Sequence, residues 1–359
     1  MTFTIKIGSN VLTRADGTLD TERMAGLVAE IAHLHRAGHK IILVTSGAVA
    51  AGRSMIQGYQ ELDPVAQRQI LSSIGQVKLI DQYKQIFDLY NIRIGQILVT
   101  KQDFSTREHY LNMRNCILAL WGSNVIPVVN ENDTVSVTSL MFTDNDELSG
   151  LMASMMNCQK LFILSNIDGI FNGNPSDPGT SVIREIKQGA NIAQYVQTTK
   201  SGFGRGGMQT KCRIARKTAD SGIDVYIANG TKQDVITHLV EGDSNFVCTH
   251  FVAGEQSAAV KKWIAYSDGF AKASVTVNNG AKAALLSHEK AASLLLPGIT
   301  NYNGDFKKDD ILLIKDQEGN TLGVGRAGMD KDKAEKMTPD DRSKPLIHYD
   351  YLYIYPENQ

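Results

Sequence analysis

A lysine near the end of a short apolar run, with a glycine turn two residues on, is the first place where this sequence could do chemistry: Lys6-Ile7-Gly8-Ser9. A glycine turn keeps side chains out of the way, so its backbone N–H groups can cradle phosphate oxygens while the lysine adds positive charge. A lysine at a strand end is also commonly a solvated edge residue. A second Gly-rich segment, Ser201-Gly202-Phe203-Gly204-Arg205-Gly206-Gly207-Met208-Gln209-Thr210-Lys211, leads into a helix continuing through Cys212–Ala219. A loop at a helix N-terminus that ends in lysine can hold phosphates, although a Gly-rich surface loop would look the same. The segment contains a formal G-x-G-x-x-G, but no strong strand immediately precedes it, which argues against a dinucleotide fingerprint and the dehydrogenase it would imply. No G-x-x-x-x-G-K-[ST] P-loop is present. The third cluster is acidic and amide-rich: Asn130-Glu131-Asn132-Asp133, then Thr143-Asp144-Asn145-Asp146-Glu147. Asp144 reads equally as a helix cap, whereas two such clusters flanking one excursion suit the holding of a substrate ammonium group or of lysines that meet a transferring phosphate.

The elements that must position these groups alternate. Apolar runs at Phe3–Ile7, Ile41–Val44, Ile94–Val99, Val125–Val129, Leu161–Leu164 and Val225–Ala228 read as strands. Segments with helical spacing, Glu22–Arg36, Val65–Tyr90 and Asp146–Asn157, lie between them. The pattern predicts a mostly parallel sheet covered by helices on both faces, a three-layer α/β/α sandwich. Ligands of such sheets sit beyond the carboxyl ends of the strands. That is where Thr45-Ser46-Gly47-Ala48, Asn130–Asp133 and Ser165-Asn166 fall, so the site is distributed over several loops.

At 359 residues two domains are expected. The alternation stops near residue 255. From Ala273–Val277 onward the sequence reads as short strands with turns at Asn279-Gly280, Pro297-Gly298, Asn303-Gly304 and Glu318-Gly319-Asn320. The expected division is 1–255, a connector at 256–270 without a Pro- or Gly-rich tether, and a small mainly β domain at 271–355 whose lobe touches the first. A net charge of −1 provides no global attraction to nucleic acid or an anionic membrane. With 42% hydrophobic residues and no run long and apolar enough to span a bilayer, a soluble protein is expected. The opening residues run straight into a strand pattern, from which a cytoplasmic location is expected. The four cysteines are far apart and suggest neither a disulfide framework nor a zinc site. His35 and His39, at i,i+4, lack a third ligand and read as polar residues in a helix's last turn.

Taken together, Lys6-x-Gly8-Ser9-x-Val11-Leu12-Thr13, Thr45-Ser46-Gly47-Ala48-Val49-Ala50-Ala51-Gly52, Val129-Asn130-Glu131-Asn132-Asp133, Asp144-Asn145-Asp146 and Gly206-Gly207-Met208-x-Thr210-Lys211 resemble the glutamate 5-kinase family of the amino acid kinase superfamily. Gly280-Ala281, Ser293–Ile299 and Gly323-Val324-Gly325-Arg326 resemble a PUA domain, a small pseudo-barrel. The resemblance implies phosphoryl transfer from ATP to the γ-carboxylate of L-glutamate, the first step of proline synthesis. It implies Lys6 and Lys211 on the β- and γ-phosphates and Asp146 orienting both. Gly8 and Gly47 would bring backbone N–H groups close. Ser46, Asn130, Asp133, Asp144 and Asn145 would surround glutamate, with Asp133 on its α-ammonium group. Ser165, Asn166 and the loop Arg205, Gly206, Gly207, Met208, Gln209, Thr210, Lys211 would hold ATP. Ser165-Asn166 stands where Thr-Asp is common in the family, and Arg205 where Thr is common. Mg2+ would be held mainly by phosphates and water. Feedback inhibition by proline and a dimer or tetramer are further implications, and RNA binding by the PUA-like domain a weaker one. Val135–Phe142 is a candidate flap or subunit contact. The competing readings are a sister kinase acting on another acceptor such as N-acetylglutamate, which would leave Asp133 without an ammonium partner, and an RNA-binding regulator with an idle kinase lobe.

Overall fold

The computed structural model describes residues 1–136, 144–174, 177–190, 207–255, 263–287, 292–337 and 344–355. The chain divides into two units, Met1–Gln256 and Ser257–Gln359.

The first unit is built on an eight-stranded sheet. Its strands are β1 (Thr2–Ile7), β2 (Lys40–Val44), β3 (Arg93–Val99), β4 (Val125–Glu131), β5 (Lys160–Ser165), β6 (Glu185–Ile186), β7 (Asp224–Asn229) and β8 (Cys248–Phe251), in the order β3-β4-β2-β1-β5-β7-β8-β6. All pairs are parallel except β7 with β8. The central strands are near-continuous apolar runs because both faces are covered.

Alternation along β1 assigns the layers. Phe3, Ile5 and Ile7 enter a core with Leu27, Val28 and Ile31 of α2 (Thr21–Arg36), Leu79 and Tyr83 of α4 (Pro64–Asp88), and Val235 and Ile236 of α8 (Val235–Glu241). Thr4 and Lys6 point the other way, toward Cys158 and toward α6 (Asn145–Met155) respectively. The remaining helices are α1 (Ser9–Leu12), α3 (Ala48–Arg53), α5 (Arg107–Gly122) and α7 (Met208–Asp220). Helix starts follow local chemistry: Asp20 caps α2 through the Arg23 N–H, and Asp63 caps α4 ahead of Pro64.

Two extents differ from expectation. Strand β4 runs on to Glu131 because Leu98 and Val99 of β3 pair with Asn130 and Glu131, so Asn130 is a strand residue and not part of the following loop. Helix α5, strand β8 and the edge strand β6 were not among the expected elements. In α5 only Tyr110 and Ile117 are buried, which leaves little periodic signal.

The second unit has a five-stranded sheet, in the order β11-β9-β12-β13-β15, and a separate pair, β10-β14. The strands are β9 (Ala273–Val277), β10 (Leu294–Leu295), β11 (Ile299–Asn303), β12 (Ile311–Lys315), β13 (Thr321–Arg326), β14 (Pro345–Ile347) and β15 (Leu352–Ile354). Asn279-Gly280, expected as a turn, instead opens the helix α9 (Asn279–Leu286), because the Asn278 side chain accepts the Ala281 N–H and caps it.

Helix α3, which follows the Ser46-Gly47 turn, lies against α4 at a backbone-to-backbone approach. A Cβ at Gly75 would sit 1.8 Å from the Ala48 carbonyl oxygen, and one at Gly52 would sit 2.0 Å from that of Leu71. Gly75→Ala is therefore expected to push α3 from α4 and lower the melting temperature markedly, whereas Gly26→Ala, on the exposed side of α2 with nothing within 4 Å of the added methyl, should leave stability unchanged or raise it by about 0.5–1 kcal/mol. Thermal unfolding of the two variants checks this, and equal effects would refute it.

Candidate active site

Three segments far apart in sequence meet at one carboxylate. Lys6, near the end of β1, places Nζ 2.6 Å from Asp146 Oδ1, and Lys211, in the first turn of α7, places Nζ 2.7 Å from Asp146 Oδ2. The Asp146 side chain is fully buried and those of Lys6 and Lys211 are 6% and 13% exposed, so each charge depends on the others for solvation. Burial works against an ionised Asp146, but the two ammonium groups outweigh it and hold the carboxyl well below the usual range. Burial likewise opposes a charged Lys211, and Asp146 and Asp144 more than offset it, so its ammonium is held above its ordinary value.

Asp144 caps α6, its Oδ1 accepting the Asp146 and Glu147 N–H groups at 2.8 and 3.2 Å. Its Oδ2 is buried without a hydrogen-bond partner among the described residues. Burial, with the neighbouring Asp146 charge, pushes this carboxyl up to about 6 against the pull of Lys6 and Lys211.

Beside this cluster Asn145 Nδ2 reaches the Thr45 carbonyl at 2.6 Å, Asn130 Oδ1 at 2.9 Å and Ser46 Oγ at 3.0 Å. An amide has two protons for these three acceptors, so one contact is loose at any moment and a ligand can take part. Asn130 in turn donates to Gln76 Oε1 of α4 at 2.8 Å. Gly47 adopts φ +99, open to glycine alone at low cost, and caps α3. Thus Ser46, Asn130 and Asn145 are brought together. Asp133 is held from the side by Arg68 of α4, whose Nε lies 3.0 Å from Asp133 Oδ1 and whose Nη2 also bonds that oxygen.

The expectation that Gly8 brings a free N–H to phosphate is corrected. Its N–H donates to the Leu164 carbonyl at 3.0 Å, because the β1–β5 pairing continues one residue past the strand. What Gly8 contributes is a missing side chain, since a Cβ there would stand 3.5 Å from Lys6 Nζ.

On the other side of β1, Ser165 ends β5 as a buried residue and Asn166 is exposed, the Ser165 hydroxyl donating to Asn166 Oδ1 at 3.4 Å. Gly207 caps α7, and Met208, Gln209, Thr210 and Lys211 form its first turn. Arg205 and Gly206, with the rest of 191–206, lie outside the described residues, as does most of the expected Val135–Phe142 flap.

Sequence reasoning missed Arg68 and Gln76, which reach Asp133 and Asn130 from α4. The available signal was a polar row at i, i+4 and i+8, namely Arg68, Ser72 and Gln76. Among the described residues no group of three or more His, Cys, Asp or Glu is arranged to hold a metal ion. His39 lies beyond the end of α2 rather than in its last turn.

Two buried ammonium groups against one fully ionised carboxylate make a place for anionic oxygens. The neighbouring amides and carboxylates suit a small zwitterion. Compared with known proteins, residues 1–229 match the Amino acid kinase family and residues 273–349 the PUA domain. The glutamate 5-kinase of Bacteroides thetaiotaomicron is 54% identical over 98% of this chain and 97% of that protein. That of Chlorobaculum tepidum is 45% identical over 98% and 97%, and that of Salmonella arizonae 36% identical over 92% and 89%. The solved isopentenyl phosphate kinase of T. acidophilum is 16% identical, with a TM-score of 0.50 over 70% of this chain and all of that one, a likeness of fold alone.

The raised Asp144 has a sign that can be tested. Because its folded pKa lies above the unfolded value, the native state binds the extra proton, and stability from this group is lost as pH rises from about 4 through 6. Asp146, held low, works oppositely, its contribution being present above about 4 and lost as pH falls further. Asn caps helices as well as Asp does. Asp144→Asn should therefore raise the melting temperature relative to wild type more at pH 7.5 than at pH 5, and a pH-independent difference would show an ordinary carboxyl.

Proposed function

Because this chain belongs to the glutamate 5-kinase family of amino acid kinases, we propose that it transfers the γ-phosphoryl group of ATP to the side-chain carboxylate of L-glutamate, giving L-glutamyl 5-phosphate, the first step of proline biosynthesis. The observation that carries the chemical side of this reading is the bridge from Lys6 through Asp146 to Lys211 beside the amide cluster of Asn145 and Asn130.

The acceptor carboxylate is ionised at neutral pH, so no general base is needed. Catalysis then rests on position and on charge stabilisation as the phosphoryl group moves. Lys6 and Lys211 neutralise the charge that spreads over its oxygens, and Asp146 holds the two ammonium groups convergent. Ser46, Asn130 and Asn145 orient glutamate, and Asp133 receives its α-ammonium group. Asp144 shapes the charge of the transfer site and fixes the start of α6. The sheet order favours this division of labour, with acceptor residues on β2 and β4, Lys6 on β1 between, and Ser165 and Asn166 at the end of β5 toward the nucleotide. Asp144 Oδ2, without a hydrogen-bond partner among the described residues, is a carboxylate oxygen that could face a Mg2+ ion, which would offset the charge of the phosphates.

The family reading extends to proline as an inhibitor competing at the glutamate site, a homodimer or homotetramer, and a cytoplasmic location. No helix of the described residues is long and apolar enough to cross a membrane. The PUA unit is read as a structural or regulatory module, with RNA binding a weaker analogy.

Trapping the acyl phosphate with hydroxylamine in the presence of ATP and Mg2+ tests the reaction. Hydroxamate is expected with L-glutamate and not with N-acetylglutamate; the reverse would move the chain to the sister reaction. Lys6→Ala and Lys211→Ala should each lower kcat by about 10²–10³-fold with the fold intact by circular dichroism, and near-normal turnover in either would remove that lysine from the mechanism.

A further inference from the structure

Two carboxylates lie at the end of β4, Glu131 with its side chain 4% exposed and Asp133 at 11%. Their shared cationic neighbour is Arg68, 23% exposed, whose Nη2 is 3.5 Å from Glu131 Oε2. Its Nε and Nη2 both converge on one oxygen of Asp133, Oδ1. No described residue bonds Oδ2. A structural ion pair would be strongest with the guanidinium fork spread over both carboxylate oxygens. Here the fork takes one oxygen and leaves the other open.

We propose that Arg68 is a positioning residue for the amino-acid acceptor: it locks Asp133 through Oδ1 so that Oδ2 meets the substrate's α-ammonium group, and it offsets the charge of Glu131 so that the pocket presents one net negative charge to one cation. The inference rests on the reading of Asp133 given above. Without the guanidinium, two carboxylates close together would repel, Asp133 would turn toward solvent, and the pocket would repel the acceptor's own α-carboxylate.

Position along α4 supports the assignment. The next residue, Gln69, donates from Nε2 to the Thr134 carbonyl at 2.7 Å, and Gln76, two turns on, holds Asn130. Ser136 donates to Glu131 Oε1 at 2.9 Å, so Glu131 is held from its other side. The segment carrying Asp133 is thus tied to a helix that the glycine contact with α3 keeps in place. Lysine at position 68 would keep the charge but not the fork, so it separates charge from geometry.

The test is initial-rate kinetics by hydroxamate formation, varying L-glutamate and ATP separately, on wild type, R68Q, R68K, D133N and R68Q/D133N, each checked by thermal unfolding. R68Q is expected to raise KM for glutamate about tenfold or more, with kcat reduced less than about threefold and KM for ATP unchanged. R68K should recover part of the loss. On the D133N background R68Q should add less than about twofold, because the arginine acts through Asp133. If R68Q does not fold, the rise in glutamate KM is read from R68K against wild type. A glutamate KM within about twofold of wild type, an equal change in ATP KM, or full additivity with D133N would each overturn the proposal. Hydroxamate from the wild type carries the reaction itself, so a wild type silent with glutamate overturns the reading beneath it, whereas an active wild type with an indifferent R68Q overturns the role of Arg68 alone.

Discussion

Two lysines buried on one carboxylate are the constraint on which the first unit depends. Burying these charges removes solvation that their mutual pairing replaces, and an isolated Asp146 would be neutral or expelled. The three residues come from β1, α6 and α7, so they meet only if the sheet puts β1 at its centre and both helices on the Thr4–Lys6 face. A buried ion triad is a poor source of net stability. Its presence in the middle of an otherwise apolar sheet fits the proposed chemistry, which needs convergent positive charge.

The side proposed to take the acceptor is built differently. Its side chains sit on the ends of β2 and β4, and α4 holds them in register by reaching Asn130 and Asp133 with polar side chains while its other face enters the core. Gly52 and Gly75 let α3 and α4 touch backbone to backbone, which couples the Ser46-Gly47 turn to the same helix. One half of the site is thus held by a buried lysine–carboxylate bridge, and the other by amide hydrogen bonds together with the Arg68 ion pairs.

Much of this was legible in the sequence. The central strands announce themselves because burial on both faces demands unbroken apolar runs, and the polar loops follow them directly. Lys6 and Lys211 could be singled out by type and context, whereas their convergence on Asp146 was implied only by the family resemblance, because it depends on strand order, which local pattern does not encode. Arg68 and Gln76 lay in a helix whose polar row reads as a solvated face, and only the position of α4 beside β4 turns that row inward. Asn279-Gly280 misled for a local reason: Asn-Gly is the usual hairpin signal, yet Asn278 one residue earlier supplies a cap that makes a helix start more favourable. Helix α5 and the strand β6 bury too few residues to leave a period.

The charge count at the transfer site links its parts one step further. With Asp144 ionised, Lys6, Lys211, Asp144 and Asp146 sum to zero; with Asp144 protonated they sum to one positive charge. Phosphate oxygens near the lysines would add negative charge beside Asp144 and favour its protonated form, whereas Mg2+ on the same phosphates would favour the ionised form. On the proposed reading, the proton change that accompanies nucleotide binding is therefore set by the balance of phosphate and ion. A cap residue that loses its charge keeps Oδ1 on the two α6 amides, so the helix start and the lysine bridge survive the change. Oδ2 is thus the part of Asp144 whose charge can change without disturbing the start of α6.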